Sequence, residues 1–284
     1  MSGEGEGESS RQHWGDSAEA WARAAEEEET GASASATKWM LETAGLQAGD
    51  RVLELACGAG RVGLQAAEII GPTGTVLCSD FAEGMVQAVR DRVGRTGVAN
   101  VETRVLDAES LDLDDGSFDV VLCRFGYMLM GDPRRALAES RRVLHPGGRL
   151  VLAVWGSADD NPWLSLIFDA TMSQLGAPPP EPGTPGPFAL GDAAQLRQMV
   201  EEAGLIDVEA VEIEAAQNYG SLERWWDQLR EVSGALAALL DALPAADAGA
   251  IKEAALDAGR QYVHSDGEPT FPASIVGAHG HRPD

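Results

Sequence analysis

The sequence is short of positive charge and of cysteine. Its 284 residues carry 21 Lys and Arg against 46 Asp and Glu, a formal net charge of −25. A nucleic-acid backbone or an anionic lipid surface would repel such a chain, so we expect neither nucleic acid nor a membrane as a partner. Cys57, Cys78 and Cys123 are widely spaced in apolar segments. That pattern is typical of reduced thiols in a cytoplasm and not of a disulfide framework or a zinc site.

Long apolar runs are also missing. No stretch of about eighteen apolar residues occurs, so no membrane-spanning helix is expected. Residues 1–10 lack the basic-then-apolar order of a signal peptide. With 44% hydrophobic and 24% charged residues, the composition is that of a globular protein long enough to bury a sizeable core.

Short apolar runs alternate with helix-compatible segments between residues 51 and 155. Five strands are predicted, near residues 51–56, 75–79, 101–106, 118–123 and 149–155. Strands joined by helices form βαβ units, which build a parallel sheet covered by helices on both faces. The predicted fold class is therefore α/β, and its ligands should lie where the strands end.

The remaining segments indicate parts added to this core. Residues 208–215 and 272–278 predict two more strands, and residues 221–259 predict two helices joined near Leu243 and Pro244. We expect five regions: a disordered acidic tail over 1–12, N-terminal lid helices over 13–45, a cofactor-binding core over 46–216, a helical cap over 217–265, and the last strand with a C-terminal tail over 266–284.

A glycine-rich turn follows the first predicted strand. Gly58, Gly60 and Gly63 have the spacing of a dinucleotide-binding loop, and Asp80 stands twenty residues beyond Gly60. An acid there accepts hydrogen bonds from two ribose hydroxyls, which both NAD and S-adenosylmethionine carry. Glu54 favours the second, because a carboxylate near the loop opposes a pyrophosphate and suits a ligand with a sulfonium and an α-amino group.

These segments resemble the class I S-adenosylmethionine-dependent methyltransferases, and most of all the branch of the quinone-biosynthesis methyltransferases. The resemblance is close from residue 35 to about residue 160. It implies a Rossmann-like, mostly parallel sheet of seven strands with the last strand antiparallel. The segments that carry it are the first motif at residues 52–61, the turn at 71–74, the strand end at 79–81, the strand end at 106–108, the second motif at 118–121 and the segment 144–152.

The resemblance also implies roles for individual residues. The cofactor-binding set is Glu54, Ala56, Gly58, Gly60, Asp80, Phe81, Asp107, Ala108 and Arg124. In this set Glu54 lies near the cofactor amino group, Asp80 takes the ribose hydroxyls and Asp107 accepts from the adenine amine. One position departs from the family: Ala56 stands where the first glycine of the motif is usual, and its backbone is expected to border the methionine part of the cofactor.

Fewer sequence signals indicate which residues bind the methyl acceptor. Methyl transfer needs alignment above all, and an acidic acceptor also needs a base. The catalytic candidates are Tyr127, which follows the fourth strand, and His264, which precedes the last strand. No cluster has the spacing of metal ligands, so no metal is expected. Trp225 and Trp226 lie on an apolar helix face that suits a cap over the acceptor.

We therefore expect S-adenosyl-L-methionine as cofactor and methyl transfer to a small organic acceptor, in the cytoplasm and within secondary metabolism. Two alternatives stay open: an NAD-dependent oxidoreductase, and a non-catalytic module that binds S-adenosylmethionine. The acceptor, the methylated atom (O, N or C) and the oligomeric state are not decided by the sequence.

Overall fold

The computed structural model describes residues 14–15, 18–26, 30–178, 181 and 183–284. The predicted tail over residues 1–12 lies outside these ranges. The described elements run in the order α1 (Ala18–Glu26), α2 (Gly31–Ala44), β1 (Arg51–Leu55), α3 (Arg61–Ile70), β2 (Thr75–Asp80), α4 (Glu83–Thr96), β3 (Val101–Val105), β4 (Phe118–Arg124), α5 (Pro133–Val143), β5 (Leu144–Trp155), α6 (Pro162–Leu175), α7 (Ala193–Glu202), β6 (Ile206–Asn218), α8 (Leu222–Val232), α9 (Gly234–Ala242), α10 (Ala245–Gly259) and β7 (Thr270–His281). Short 3-10 turns occupy Tyr127–Leu129 and Arg260–Tyr262.

The seven strands form one sheet in the order β3-β2-β1-β4-β5-β7-β6. Neighbouring strands from β3 to β5 are parallel, whereas β7 runs antiparallel to both β5 and β6. The predicted fold class, an α/β sheet of seven mostly parallel strands with an antiparallel last strand, is confirmed.

The central strands are apolar because both faces of the sheet are covered. In β1, Val52, Leu53 and Leu55 are at most 1% exposed, so the strand reads as a continuous apolar run rather than an alternating one. Helix α2 packs across β4, β5, β6 and β7, and α3 packs on β1 and β2. None of the described helices is long and apolar enough to cross a membrane.

Local chemistry fixes several helix starts. Asp132 caps α5 by accepting from the Arg135 N–H at 3.0 Å, and Pro133 follows at the first helical position. Ser221 caps α8 in the same way. The region predicted as two helices holds three, because Ser233 ends α8 and accepts from the Leu236 N–H at the start of α9. The predicted break at Pro244 is present.

Candidate active site

The site lies at the carboxyl ends of β1, β2, β3 and β4. Strand β1 is followed by β2 on one side, while β4 pairs with β1 on the other side. From β1 the chain continues to β2 and β3 on one side of the sheet, and from β4 it continues to β5 on the other side. The order of strands thus reverses between β1 and β4, and such a switch point opens a crevice for a ligand. The glycine loop, residues 56–60, begins at this point.

The glycines of the loop have two different functions. Gly58 has φ 51°, and a Cβ on it would meet no atom within 4 Å, so its backbone borders open space. Gly60 has φ 75°, and its Cβ would lie 2.9 Å from Cγ1 of Val89 on α4. Gly58 thus leaves room for a ligand, whereas Gly60 allows helices α3 and α4 to pack closely.

Ala56 has the backbone conformation of a glycine. Its φ is 49°, in the left-handed region that costs an L-residue about 1–2 kcal/mol. An alanine thus adopts here a backbone conformation that favours glycine.

Asp80 ends β2 and is 6% exposed. Its Oδ2 accepts from the Gly58 N–H and its Oδ1 accepts from the Ala82 N–H, each at 3.0 Å. Burial raises the pKa of Asp80, although hydrogen bonds from the backbone N–H groups oppose that shift. The carboxylate ties the glycine loop to the second strand and keeps acceptor capacity beside Gly58.

Glu54 lies beneath the glycine loop and is 2% exposed. Its Oε2 accepts from the Gly63 N–H at 2.9 Å, in the first turn of α3, and from the Cys78 thiol at 3.5 Å. Burial raises its pKa to about 7, and the charge of Arg124 and these hydrogen bonds oppose the rise. The carboxylate can therefore change its charge near neutral pH.

Arg124 ends β4 and points toward α2. Its Nη1 donates to Oγ1 of Thr37 at 2.6 Å and to the Ser33 carbonyl at 3.3 Å. The guanidinium also lies 5.6 Å from the centre of the Phe125 ring. A positive charge is thereby held between the sheet and the N-terminal half of α2.

Phe81, Asp107 and Ala108 lie further along the same edge. Phe81 is half-buried and packs with Trp14, Trp21, Ala18, Ala82 and Met85 in a small second core. Asp107 is exposed, and its Oδ1 accepts from the Glu109 N–H at 2.9 Å in a tight turn that holds the half-buried Ala108. These residues stand at the ends of β2 and β3, as predicted from the order of the strands.

The two catalytic candidates are not brought together. Tyr127 is 1% exposed, and its hydroxyl lies 2.6 Å from Oγ of Ser140 on α5. Burial raises its pKa above the ordinary value for tyrosine. In this structure the hydroxyl is an interior group between the 3-10 turn and α5, and the catalytic role of Tyr127 stays a prediction. His264 is exposed in the turn before β7.

Sequence reasoning missed two features of this edge. Phe125 has φ 58° and stacks on Trp155 at 3.9 Å between ring centres, so aromatic side chains join the ends of β4 and β5. Thr37 on α2 receives the Arg124 guanidinium. The sequence carries no signal for either contact, because each depends on which strands become neighbours. Among the described residues, no group of three or more His, Cys, Asp or Glu could hold a metal ion.

Comparison with known proteins covers the central part of the chain. Residues 52–148 match the family described as methyltransferase domain. Over 133 residues the chain is 39% identical to the ubiquinone/menaquinone biosynthesis C-methyltransferase UbiE of Ectopseudomonas mendocina (strain ymp). These aligned residues are 46% of this chain and 52% of that protein. The chain thus spans about half the length of the curated relatives it matches.

Solved structures share the fold. The YcgJ protein of Bacillus subtilis is 20% identical with a TM-score of 0.62, over 88% of this chain and 98% of that one. A methyltransferase-like protein of Bacillus halodurans C-125 is 19% identical with a TM-score of 0.57, over 87% and 99%. Together the comparisons confirm the predicted resemblance to S-adenosylmethionine-dependent methyltransferases related to those of quinone biosynthesis, and the similarity in sequence is concentrated in the part of the chain that includes residues 52–148.

Proposed function

We propose that this protein binds S-adenosyl-L-methionine and transfers its methyl group to a small organic acceptor. The observation that carries the proposal is the position of Asp80, Gly58 and Glu54 around one loop inside the segment that matches the methyltransferase domain. The site suits a ligand with a ribose and a positive charge. Asp80 is a buried acid at the end of β2, Gly58 leaves open space, and Glu54 is a second buried acid below the loop.

The donor and acceptor groups fit this cofactor better than a dinucleotide. Asp80 has acceptor atoms for ribose hydroxyls, and Asp107 offers an exposed carboxylate for the adenine amine. Glu54 already occupies the Gly63 N–H at the start of α3, where a pyrophosphate would otherwise find a donor. Two acids around the loop disfavour an anionic ligand and favour a cationic one.

The cofactor-binding set therefore retains the predicted residues with more specific tasks. Asp80 would hold the ribose, Phe81, Asp107 and Ala108 would border the adenine, and the backbone at Ala56 and Gly58 would border the methionine part. We propose that Glu54 and Arg124 act there through charge and not through direct contact, since both are already bonded to other parts of the fold. Gly60 supports the loop by its packing against α4.

When bound, the cofactor supplies an electrophilic methyl group on a sulfonium. What this chain contributes is alignment and exclusion of water. Phe125 after β4, Trp155 at the end of β5 and Trp163 at the start of α6 form an aromatic row, with ring centres 3.9 and 4.8 Å apart. Such a row suits an apolar or planar acceptor. His264 stays our proposal for a base, because it is exposed beside the start of β7.

The outer helices would close this site. We propose that the chain divides as predicted, with lid helices over 13–45, a core over 46–216, a cap over 217–265 and a last strand over 266–284. Trp225 is fully buried and donates from Nε1 to the Trp163 carbonyl at 2.6 Å, which fixes α8 to the start of α6. Three buried free thiols agree with a cytoplasmic location. The curated relatives are named for quinone biosynthesis. A role of this protein in secondary metabolism is our own proposal.

Calorimetry with S-adenosylhomocysteine, S-adenosylmethionine and NAD tests the cofactor, and transfer of labelled methyl groups to a panel of small acceptors tests the activity. We expect binding of the first two ligands and methylation of a member of the panel. Binding of NAD without binding of S-adenosylhomocysteine would identify an oxidoreductase instead. Tight binding of S-adenosylhomocysteine with no transfer to any acceptor would favour a non-catalytic module.

A further inference from the structure

Glu54 and Arg124 lie on the same face of the sheet. In the register of β1 and β4, Glu54 pairs with Leu122 and Leu55 pairs with Cys123. Side chains alternate along a strand, so Leu122 and Arg124 point to one face, and Glu54 shares it. Helix α3 covers this face through Gly63, and α2 covers it through Thr37.

Thr37 is the residue of α2 that receives Arg124. It is 3% exposed, and its Oγ1 accepts from Arg124 Nη1 at 2.6 Å while donating to the Ser33 carbonyl at 3.0 Å. The same Nη1 donates to the Ser33 carbonyl at 3.3 Å. One hydroxyl and one carbonyl of α2 thus hold the guanidinium on the face of the sheet that carries the buried Glu54.

We propose that Thr37 is a positioning residue, whose hydroxyl holds Arg124 on the face of the sheet that Glu54 shares and so favours the ionised form of that buried carboxylate beneath the glycine loop. For the cofactor the inference rests on the proposed function, because a charged Glu54 is what favours a cationic ligand above it.

The charges around Glu54 show why Arg124 matters. The groups that face it are Arg124 on β4, Cys78 and Asp80 on β2, and the thiols of Cys57 and Cys123. Burial raises the pKa of Glu54 and Asp80 raises it further, whereas Arg124 is the cation that lowers it. If Arg124 loses its shorter hydrogen bond to α2 and moves away from Glu54, that attraction weakens and Glu54 takes up a proton at higher pH.

The direct test is a carbon-13 NMR titration of the side-chain carboxyl of Glu54 in the cofactor-free protein, with Glu54→Gln to identify its signal. We expect Thr37→Val and Thr37→Ala to move the midpoint upward by about one pH unit. Thr37→Ser keeps the hydroxyl and should match the wild type. Ser33→Ala is the matched control, because Arg124 and Thr37 both bond to the carbonyl of Ser33 and not to its hydroxyl.

A second measurement connects the cluster to the cofactor. The affinity for S-adenosylmethionine, which carries the sulfonium charge, should fall by up to about tenfold near pH 7 in Thr37→Val and recover at higher pH, where Glu54 is ionised in both proteins. An unchanged Glu54 midpoint in Thr37→Val and Thr37→Ala would overturn the inference, as would a loss of affinity that is the same at every pH. Absence of S-adenosylhomocysteine binding by the wild type would instead overturn the proposed function, while the NMR midpoint would still decide the role of Thr37.

Discussion

The methyl group of Ala56 occupies the space that a side chain on Gly126 would need. A Cβ on Gly126 would lie 2.6 Å from Cβ of Ala56 and 2.6 Å from Sγ of Cys123. Ala56 also has φ 49°. The ends of β1 and β4 are therefore in contact through one alanine in a left-handed conformation and one glycine, at the point where the crevice opens.

This contact predicts an asymmetric pair of variants. Gly126→Ala should lower the free energy of unfolding by about 1–3 kcal/mol, because the new methyl group overlaps two neighbours. Ala56→Gly should change it by less than about 1 kcal/mol, because relief of the left-handed strain offsets the greater freedom of glycine in the unfolded chain. Urea denaturation measures both.

The double variant separates the causes. With Ala56→Gly present, Gly126→Ala should cost less, since one of the two overlapping atoms has gone. An equal cost in both backgrounds would mean that Cys123 alone resists the change.

Glu54 predicts a pH dependence of stability. Its pKa in the folded protein is about 7 against an ordinary 4.5, so the folded state binds the proton more tightly than the unfolded state does. The stabilising contribution of this group is fully present below about pH 4.5 and is lost as the pH rises through about 7. Glu54→Gln keeps an acceptor for the Gly63 N–H and has no proton to lose.

Denaturation of the cofactor-free proteins between pH 5 and pH 8 measures the difference. We expect the wild type to lose about 1–3 kcal/mol of stability relative to Glu54→Gln over this interval. A difference that stays constant with pH would show that Glu54 does not titrate in this range.

Asp80 and Asp107 predict unequal losses of cofactor affinity. Asp80→Asn should weaken binding of S-adenosylhomocysteine by roughly 1.5–3 kcal/mol for each charged hydrogen bond lost, and its amide would also face the N–H groups of Gly58 and Ala82. Asp107→Asn should cost less, because Asp107 is exposed and one exocyclic amine is its expected partner. Calorimetric titration compares the two, and a larger loss for Asp107→Asn would reverse our placement of ribose and adenine.

The sequence predicts the core of this fold well because its signals are local. Apolar runs followed at once by glycine or aspartate predict β1, β2 and β3 and the edge at which they end. The alternation with helices predicts parallel pairing, which then brings Gly58, Asp80 and Asp107 to one side of the sheet. The strand directions follow from connectivity, so no contact between distant residues has to be known.

The contacts across the sheet follow from tertiary packing instead. The 3-10 turn at Tyr127–Leu129 directs the Tyr127 hydroxyl to Ser140, which the position after β4 does not reveal. The break at Ser233 carries no proline, and a serine cap is also compatible with a continuous helix. Glu54 could be predicted to matter, but its bond to Gly63 depends on how α3 lies over β1.

Helix α1 links the start of α4 to the end of α8. Trp21 donates from Nε1 to the Val232 carbonyl at 3.1 Å, at the end of α8. On the other side, Ala18 packs against Gly84, whose Cβ would lie 3.1 Å from Cβ of Ala18. Arg23 pairs with Glu231 at an exposed position. The helix therefore spans from the start of α4, next to Phe81, to the outer helices.

This arrangement predicts that α1 closes the site. Removing residues 1–30 should leave a folded protein that binds S-adenosylhomocysteine more weakly and loses most methyl transfer, because the acceptor would be exposed to water.

Trp21→Phe keeps an aromatic side chain and loses the hydrogen bond to the Val232 carbonyl. S-adenosylhomocysteine should therefore dissociate roughly five times faster, as expected for about 1 kcal/mol. Arg23→Gln is the control, since an exposed ion pair contributes little. Stopped-flow release rates and methyl-transfer assays measure these effects, and full activity in the shortened protein would show that α1 is not needed to close the site.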